Sequence, residues 1–342
     1  MDLYAHIKNS QKPVVLYGMG NGADKIIDIL EAKGIKVSGV FASDGFVRRK
    51  LFRGMPLMSY SEAKEQFGSM TVLVSFGTSL PDVLENIARI SAEQELYVPD
   101  VPVFGGGVFD IEYAREHKSE LETVHSALAT PRDKAVFETL VRYKLSGKPD
   151  GLYDTAGDES ELYRLIVPRD GGVYVDCGAF TGDTVAAYLR HVKSYKKIYA
   201  IEPDSHSFKK LSAYLSVLDN AEGINAPLSD KVETAFFAKH GSRGSHLSEE
   251  GEAVTSLSLD SLFAECGADY VKIDVEGAEA AVIEGARRLI TEHRPKLLVS
   301  CYHRTEDIFA LPLQVLSMRP DYKLHLWHPM YLPPWDASYI FV

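Results

Sequence analysis

Two carboxylates separated by one helix carry the first chemical signal in this chain. Val173-Tyr-Val-Asp176 is an apolar strand that runs into Cys177-Gly-Ala-Phe-Thr-Gly-Asp-Thr184, a glycine-bearing turn at the head of a helix. The next apolar strand, Tyr199-Ala-Ile201, closes on Glu202-Pro-Asp204. A carboxylate at the end of the second strand of a βαβ unit can accept hydrogen bonds from a ribose diol. Gly178 and Gly182 let the backbone approach a ligand at the carboxyl edge of the sheet. Together these features lay a nucleoside-containing cofactor across the turn. The turn taken alone would serve equally to join strand to helix.

Spacing selects the cofactor. Dinucleotide turns read G-x-G-x-x-G/A, because a pyrophosphate needs exposed amides at a helix N-terminus. This turn reads Asp176-x-Gly178-x-x-x-Gly182. Asp176 would repel a pyrophosphate and suits a cationic ligand. S-adenosylmethionine carries a sulfonium and an amino group and meets that requirement.

Lys272-Ile-Asp-Val-Glu-Gly-Ala-Glu279 is the second chemical signal. Alternation puts Val271, Ile273 and Val275 on one side of a buried strand and Lys272 and Asp274 on the other. A Lys and an Asp at a buried strand end are costly unless they pair or face a cleft. Both an internal salt bridge and an active-site role satisfy that condition. Gly277 allows a turn, and Glu279 opens a helix whose dipole suits its charge.

The elements that position these residues alternate strand and helix, which implies parallel sheets. The expected strands are Val173–Asp176, Ile198–Glu202, Ala221–Ala226, Tyr270–Val275 and Lys296–Cys301, then a terminal antiparallel hairpin of Tyr322–Trp327 and Ser338–Val342. That is the seven-strand layout of class I methyltransferases. A smaller parallel α/β unit precedes it, with strands at 13–17, 37–41 and 71–75 and a helix through Leu30 that Gly34 ends. Gly18-Met-Gly-Asn-Gly-Ala23 there fits G-x-G-x-x-A, with Asp44 near a ribose position. Nucleotide binding and plain helix-on-strand packing both explain those glycines. Residues 110–147 read as helical, with Thr130 as N-cap and Pro131 at the first helical position. The expected organisation is a Rossmann-like α/β domain at 1–109, a helical connector at 110–151 and a cofactor-binding domain at 152–342.

Composition narrows the function class. The 342 residues are 45% hydrophobic and 25% charged, ordinary for a globular chain. A net charge of −11 without a basic stripe argues against nucleic-acid partners. Three scattered cysteines, Cys177, Cys266 and Cys301, suggest neither a disulfide frame nor a zinc site. No signal peptide and no membrane-length apolar run is visible, so a soluble cytoplasmic protein is expected.

Four segments then carry a family resemblance: Asp176-Cys-Gly-Ala-Phe-Thr-Gly-Asp-Thr184, Ala200-Ile-Glu-Pro-Asp204, Asn225-Ala-Pro-Leu-Ser-Asp230 and Lys272-Ile-Asp-Val-Glu-Gly-Ala-Glu279. With Arg294-Pro295 and Tyr302-His303, they resemble the FkbM family of S-adenosylmethionine-dependent methyltransferases over about residues 150–342. The resemblance implies O-methylation of a sugar or secondary-metabolite hydroxyl, with S-adenosylhomocysteine as product. It implies that Asp176 and Gly178 hold the methionine end, Glu202 the ribose, and Asp204 with Ser229-Asp230 the adenine. Phe180, Thr181, Gly182, Asp183, Thr184, Pro203 and Asp274 complete the implied cofactor set.

A hydroxyl acceptor must lose its proton during transfer. His303 follows the fifth strand at the same edge and is the candidate base, since an ordinary histidine titrates near neutrality. Capping a strand end or touching substrate are alternative roles for it. Asp274 and Lys272 are the other catalytic candidates. Asp274 could orient the acceptor, or bind a divalent cation with neighbouring groups; no adjacent Asp-Asp pair follows the fifth strand, so no metal is expected. The loop His325-Leu-Trp-His-Pro-Met-Tyr-Leu-Pro-Pro-Trp335 is aromatic enough to stack on a sugar and equally able to pack the hairpin. Tyr153 and Tyr163 are candidates to cover the cofactor. Rival readings are a cofactor-binding protein without catalysis, an NAD- or nucleotide-sugar-dependent enzyme acting through the first domain, and a protein-methylating enzyme. The expected partner is a small-molecule or saccharide acceptor, with a homodimer left open.

Overall fold

A computed structural model of the chain describes residues 2–43, 51–167, 171–238, 246–248 and 252–342, with backbone alone over 235–238, 246–248 and 252–253. Strands β1 (Val14–Tyr17), β2 (Val37–Ala42), β3 (Leu51–Phe52), β4 (Met55–Ser59), β5 (Thr71–Val74) and β6 (Glu95–Tyr97) form a first sheet in the order β3-β4-β2-β1-β5-β6. Every residue of β1 is buried, which is why it reads as an unbroken apolar run. All pairings are parallel except that of the short β3 with β4. The three expected strands are present; β3, β4 and β6 are additional.

Two glycines of the first glycine turn are packed against protein, while Gly20 (φ +113°) has open space beside it. A Cβ at Gly18 would strike Phe76 and Ser75, and one at Gly22 would strike the Ser75 carbonyl. These two glycines therefore let helix Asn21–Ala32 pack against the sheet. Asp44, the matching ribose candidate, lies outside the described residues.

Helices Ile111–Glu116, Lys118–Ala127 and Pro131–Ser146 follow. Thr130 caps the last of them in a capping box with Asp133, and Pro131 takes the first position. Asp133 also accepts from Leu326 N at 3.2 Å and lies 3.0 Å from His325 Nδ1. A local cap thus becomes a tie to the far end of the chain. Val124, Val136 and Leu140 of these helices belong to one core cluster with Val15 of the first sheet and Val175, Val271 and Val299 of the second.

Strands β7 (Val173–Cys177), β8 (Lys197–Ile201), β9 (Ala221–Ile224), β13 (Tyr270–Ile273), β14 (Lys296–Ser300), β15 (Leu324–Trp327) and β16 (Ser338–Phe341) form the second sheet, ordered β15-β16-β14-β13-β7-β8-β9. Neighbours are parallel from β14 through β9, and β16 pairs antiparallel with both β14 and β15. This is the class I methyltransferase arrangement. β8, β9, β13 and β14 end one or two residues earlier than expected and β7 one later, so Glu202, Asp274 and Val275 lie in the loops at the carboxyl edge. Strands β10 (Glu233–Ala238), β11 (His246–Ser248) and β12 (Glu252–Ser256) form a separate antiparallel sheet. It was not anticipated, because Thr234-Ala-Phe-Phe-Ala238 has no alternation to announce a half-buried strand. Among the described residues, no helix is long and apolar enough to cross a membrane.

Asp133→Ala should remove a buried acceptor of several hydrogen bonds and lower stability by about 2–4 kcal/mol. Urea unfolding of the full chain measures this, with a loss under about 0.5 kcal/mol counting against the tie.

Candidate functional site

The carboxyl edge of the second sheet opens into a cavity of about 420 Å³, within the range of small-molecule sites. Its geometry starts at β7 and β13, which run parallel with Lys272 directly opposite Asp176. The Lys272 ammonium lies 3.3 Å from Asp176 Oδ1, 3.5 Å from Asp274 Oδ2 and 3.2 Å from the Gly178 carbonyl. Burial opposes its charge, but Asp176 and Asp274 outweigh burial and hold it protonated above the ordinary lysine range. Lys272 borders the cavity as a fixed cation and cannot act as a base there. Asp176 is fully buried, accepts from Thr184 Oγ1 at the head of helix Asp183–His191, and does not line the cavity.

The glycines of this turn do something other than expected. Gly178 has φ +82°, and a Cβ there would overlap the Asp274 carbonyl oxygen. Gly182 has φ +96° and backs onto Tyr214. Both allow close packing of protein on protein, although Gly178 also lines the cavity. The amides of Gly178 and Ala179 both donate to the Ile201 carbonyl, and Phe180 N donates to Glu202 Oε2 at 2.9 Å. Glu202 Oε1 accepts from Asp204 N at 2.8 Å. Burial is the main reason that Glu202 is pushed up to about 7, against the opposing pull of those two amides.

Of the sequence candidates, Gly178, Phe180, Asp183, Thr184, Glu202, Pro203, Lys272 and Asp274 line the cavity. Thr181, Gly182, Asp204, Ser229 and Asp230 do not. Asp204 is instead the buried N-cap of helix Ser205–Leu215, accepting from Ser207 N. Ser229 N is bonded to the Leu257 carbonyl, and its hydroxyl donates to Asp230. The preceding Ala226, Pro227 and Leu228 supply the apolar wall in their place. Tyr163 lines the cavity and stacks on His191, whereas Tyr153 is exposed and away from it.

His303 requires the largest correction. Its side chain is 0% exposed and is not part of the cavity lining. Nδ1 lies 2.9 Å from Glu279 Oε1, close but off line for a hydrogen bond, and Nε2 has no hydrogen-bond partner. Nε2 faces Glu276 Oε2 at 3.5 Å and Asp274 Oδ1 at 3.7 Å. Burial opposes the imidazolium, but Glu279, Asp274 and Glu276 outweigh burial and push the ring up to about 9. A histidine already protonated at neutral pH, behind the cavity wall, does not fit a general base. Asp274 does reach the cavity: burial raises its carboxyl, and Lys272 and His303 pull it below the ordinary value. Tyr302 Oη donates to Asp274 Oδ1 at 3.4 Å.

Sequence reading missed Ser300, Tyr302, Asp336 and Glu276 of the lining and the cover over His303. That cover is Phe104, whose N donates to the His303 carbonyl at 2.9 Å and whose ring lies 6.0 Å from the imidazole. The aromatic loop divides its work. Trp327 and Pro329 line the cavity, Leu332 pairs with Thr78, and Trp335 fills the space over Gly77 in the first α/β unit. The break in pattern at Pro102-Val-Phe-Gly-Gly-Gly107 was the available signal for Phe104.

Glu202→Gln should test the buried carboxylate. Its folded pKa lies above the ordinary value, so folding favours the protonated form. Stability falls as pH rises from about 4.5 through about 7. The variant should exceed the parent by about 1–3 kcal/mol at pH 8 and match it near pH 5. Equal denaturation midpoints at pH 8 would contradict the burial argument.

Comparison with known proteins adds the following. Residues 176–323 match the model described as the methyltransferase FkbM domain. The methyltransferase FkbM from Methylobacillus flagellatus superposes with a TM-score of 0.73 at 19% identity, over 97% of this chain and 90% of that one. The fold is therefore shared across both sheets. Fibrillarin from Aeropyrum pernix, solved with S-adenosyl-L-methionine, covers 54% of this chain and 73% of its own at 18% identity and a TM-score of 0.35. Precorrin-6y C5,15-methyltransferase from Geobacter metallireducens covers 54% and 85% at 15% identity and the same TM-score. No curated protein matches the chain.

Proposed function

We propose, for a chain whose residues 176–323 match the methyltransferase FkbM domain, that this cavity binds S-adenosylmethionine and that the protein O-methylates a hydroxyl of a sugar or secondary metabolite. The observation that carries the reading is Glu202: a carboxylate at the end of β8, on the cavity wall, beside the Gly178–Phe180 turn. Its place suits a ribose diol. Pro203, Ala226, Pro227 and Leu228 offer an apolar face for the adenine. The methionine end would lie toward Gly178, Asp183 and Thr184, with Asp176 and Lys272 setting the field beneath.

The other end of the cavity suits an acceptor. Trp327 and Tyr302 offer ring faces, and Asp274, Glu276 and Asp336 offer hydrogen-bond acceptors for hydroxyl groups. In the reaction the acceptor oxygen attacks the methyl carbon in line, the C–S bond breaks with its electron pair going to sulfur, and S-adenosylhomocysteine remains. Holding oxygen and methyl on one axis is the main contribution asked of the protein. The hydroxyl proton leaves toward the carboxylate side of the cavity. His303 supports Asp274 from behind and is a positioning residue in this account. Lys272 plays the same part for Asp176 and Asp274.

Calorimetric titration with S-adenosylhomocysteine, with NAD(H) as control, tests the cofactor: micromolar binding of the former alone is expected. Glu202→Ala should weaken that binding by about 1–3 kcal/mol, or roughly 5- to 150-fold. Unchanged affinity would remove Glu202 from the site.

A further inference from the structure

The first α/β unit carries a crevice to which methyl transfer gives no part. Its sheet reverses direction at β1: the chain runs outward to β2 and β4 on one side, then returns to β5 and β6 on the other. In an open α/β sheet, the opening outside the carboxyl ends at such a reversal is where a ligand sits. The two carboxyl ends here are Tyr17-Gly18 and Val74-Ser-Phe-Gly77. Beside β1, Gly20 at the head of helix Asn21–Ala32 has open space next to it. The β5 half is occupied. A Cβ built on Gly77 would overlap three ring atoms of Trp335, and Gly77 is not in the left-handed region, so the indole is what excludes a larger residue there. Thr78 then exchanges two backbone hydrogen bonds with Leu332: its N donates to the Leu332 carbonyl at 2.8 Å, and its carbonyl accepts from Leu332 N at 2.9 Å. Leu332 is fully buried in the same core cluster as Val72 and Val74 of β5. Tyr331 stacks on Trp335, ring centroids 5.7 Å apart.

Both ends of this loop return to the cavity. Trp327 and Pro329 line it before the docked stretch, and Asp336 and Ser338 line it after. Asp336 follows Trp335 directly and has φ +66°, a left-handed conformation uncommon for a non-glycine residue. Cys301 N donates to the Ala337 carbonyl at 2.9 Å, and Ser338 stands opposite Ser300 where β16 joins β14. The backbone is therefore fixed on the far side of Asp336 by the second sheet and on the near side by the indole.

We propose that the crevice of the first α/β unit is a dock for the chain's own loop between β15 and β16, with Trp335 as the docked group, and that docking positions the cavity wall of Pro329, Asp336 and Ser338. A large rigid ring suits this part, since it buries much apolar area. A nucleoside entering the β5 half would have to displace it. Trp335 is a positioning residue, acting on the cavity through Asp336. Calling that wall the acceptor's rests on the proposed function; the dock itself does not.

The test is hydrogen–deuterium exchange of the full chain, read over residues 328–338. Gly77→Ala should speed exchange there by about fivefold or more, by pushing the indole out. Trp335→Ala should do the same and serves alone if Gly77→Ala does not fold, while Trp335→Phe, which keeps a ring, should stay close to the parent. Gly77→Ala added to Trp335→Ala should change nothing further, because the clash is gone. Saturating NADH or ATP should leave exchange over 328–338 as it is. Exchange that neither Gly77→Ala nor Trp335→Ala alters overturns the dock. A rise that stops short of Asp336 and Ser338 overturns the positioning of the wall. Faster exchange over 328–338 on adding NADH or ATP also overturns the proposal, making the crevice a nucleotide site. None of these readouts contains the methyl donor. A chain with this exchange pattern that fails to bind S-adenosylhomocysteine would lose the transferase reading and keep the dock.

Discussion

A buried ammonium held between two carboxylates organises this molecule. Lys272 sits on one central strand, Asp176 on its neighbour and Asp274 just beyond the strand end. Burying such charges costs several kcal/mol apiece, recovered only if geometry and hydrogen bonding are good. Slipping β13 against β7 by one residue would turn Lys272 to the opposite face and strand two carboxylates. The ion group therefore ties the register of the sheet to the position of the site. It also divides the labour of its members: Asp176 anchors the helix head through Thr184, and Asp274 faces the cavity.

Glu202 follows the same logic with a different outcome. Two amides hold its carboxylate and Lys272 adds only the weakest of the favourable pulls, so burial makes its charged form costly. A ligand offering hydroxyl donors would lower that cost. Asp274, beside Lys272 and His303, stays ionised in an equally confined place. Environment, and not residue type, separates two carboxylates on one cavity wall.

Parts distant in sequence close the site. Phe104, from the segment after the first sheet, covers His303, and the loop between β15 and β16 reaches back to Thr78 and Gly77. Asp133 ties the intervening helices to β15. The first α/β unit thus supports the cavity physically, and Gly18 and Gly22 of its own glycine turn pack against Phe76 and Ser75, while Gly20 stays open.

What the sequence determined by itself is the local and periodic part. Apolar runs at 173–176, 270–273 and 296–300, glycines at helix heads, the Thr130–Pro131 cap and Glu202 after its strand each follow from neighbours within a few residues. From them came the alternation of strands and helices, the seven-strand order and most of the turn-side lining. What the tertiary structure alone decided is which side chains share an environment. Gly178 is required by the Asp274 carbonyl 96 positions on; His303 is a buried cation because Glu276 and Glu279 arrive from another strand end; Asp204 caps a helix while Tyr302 and Asp336 meet the cavity. Burial and charge act through space, and a residue's ionisation depends on neighbours that spacing along the chain does not reveal.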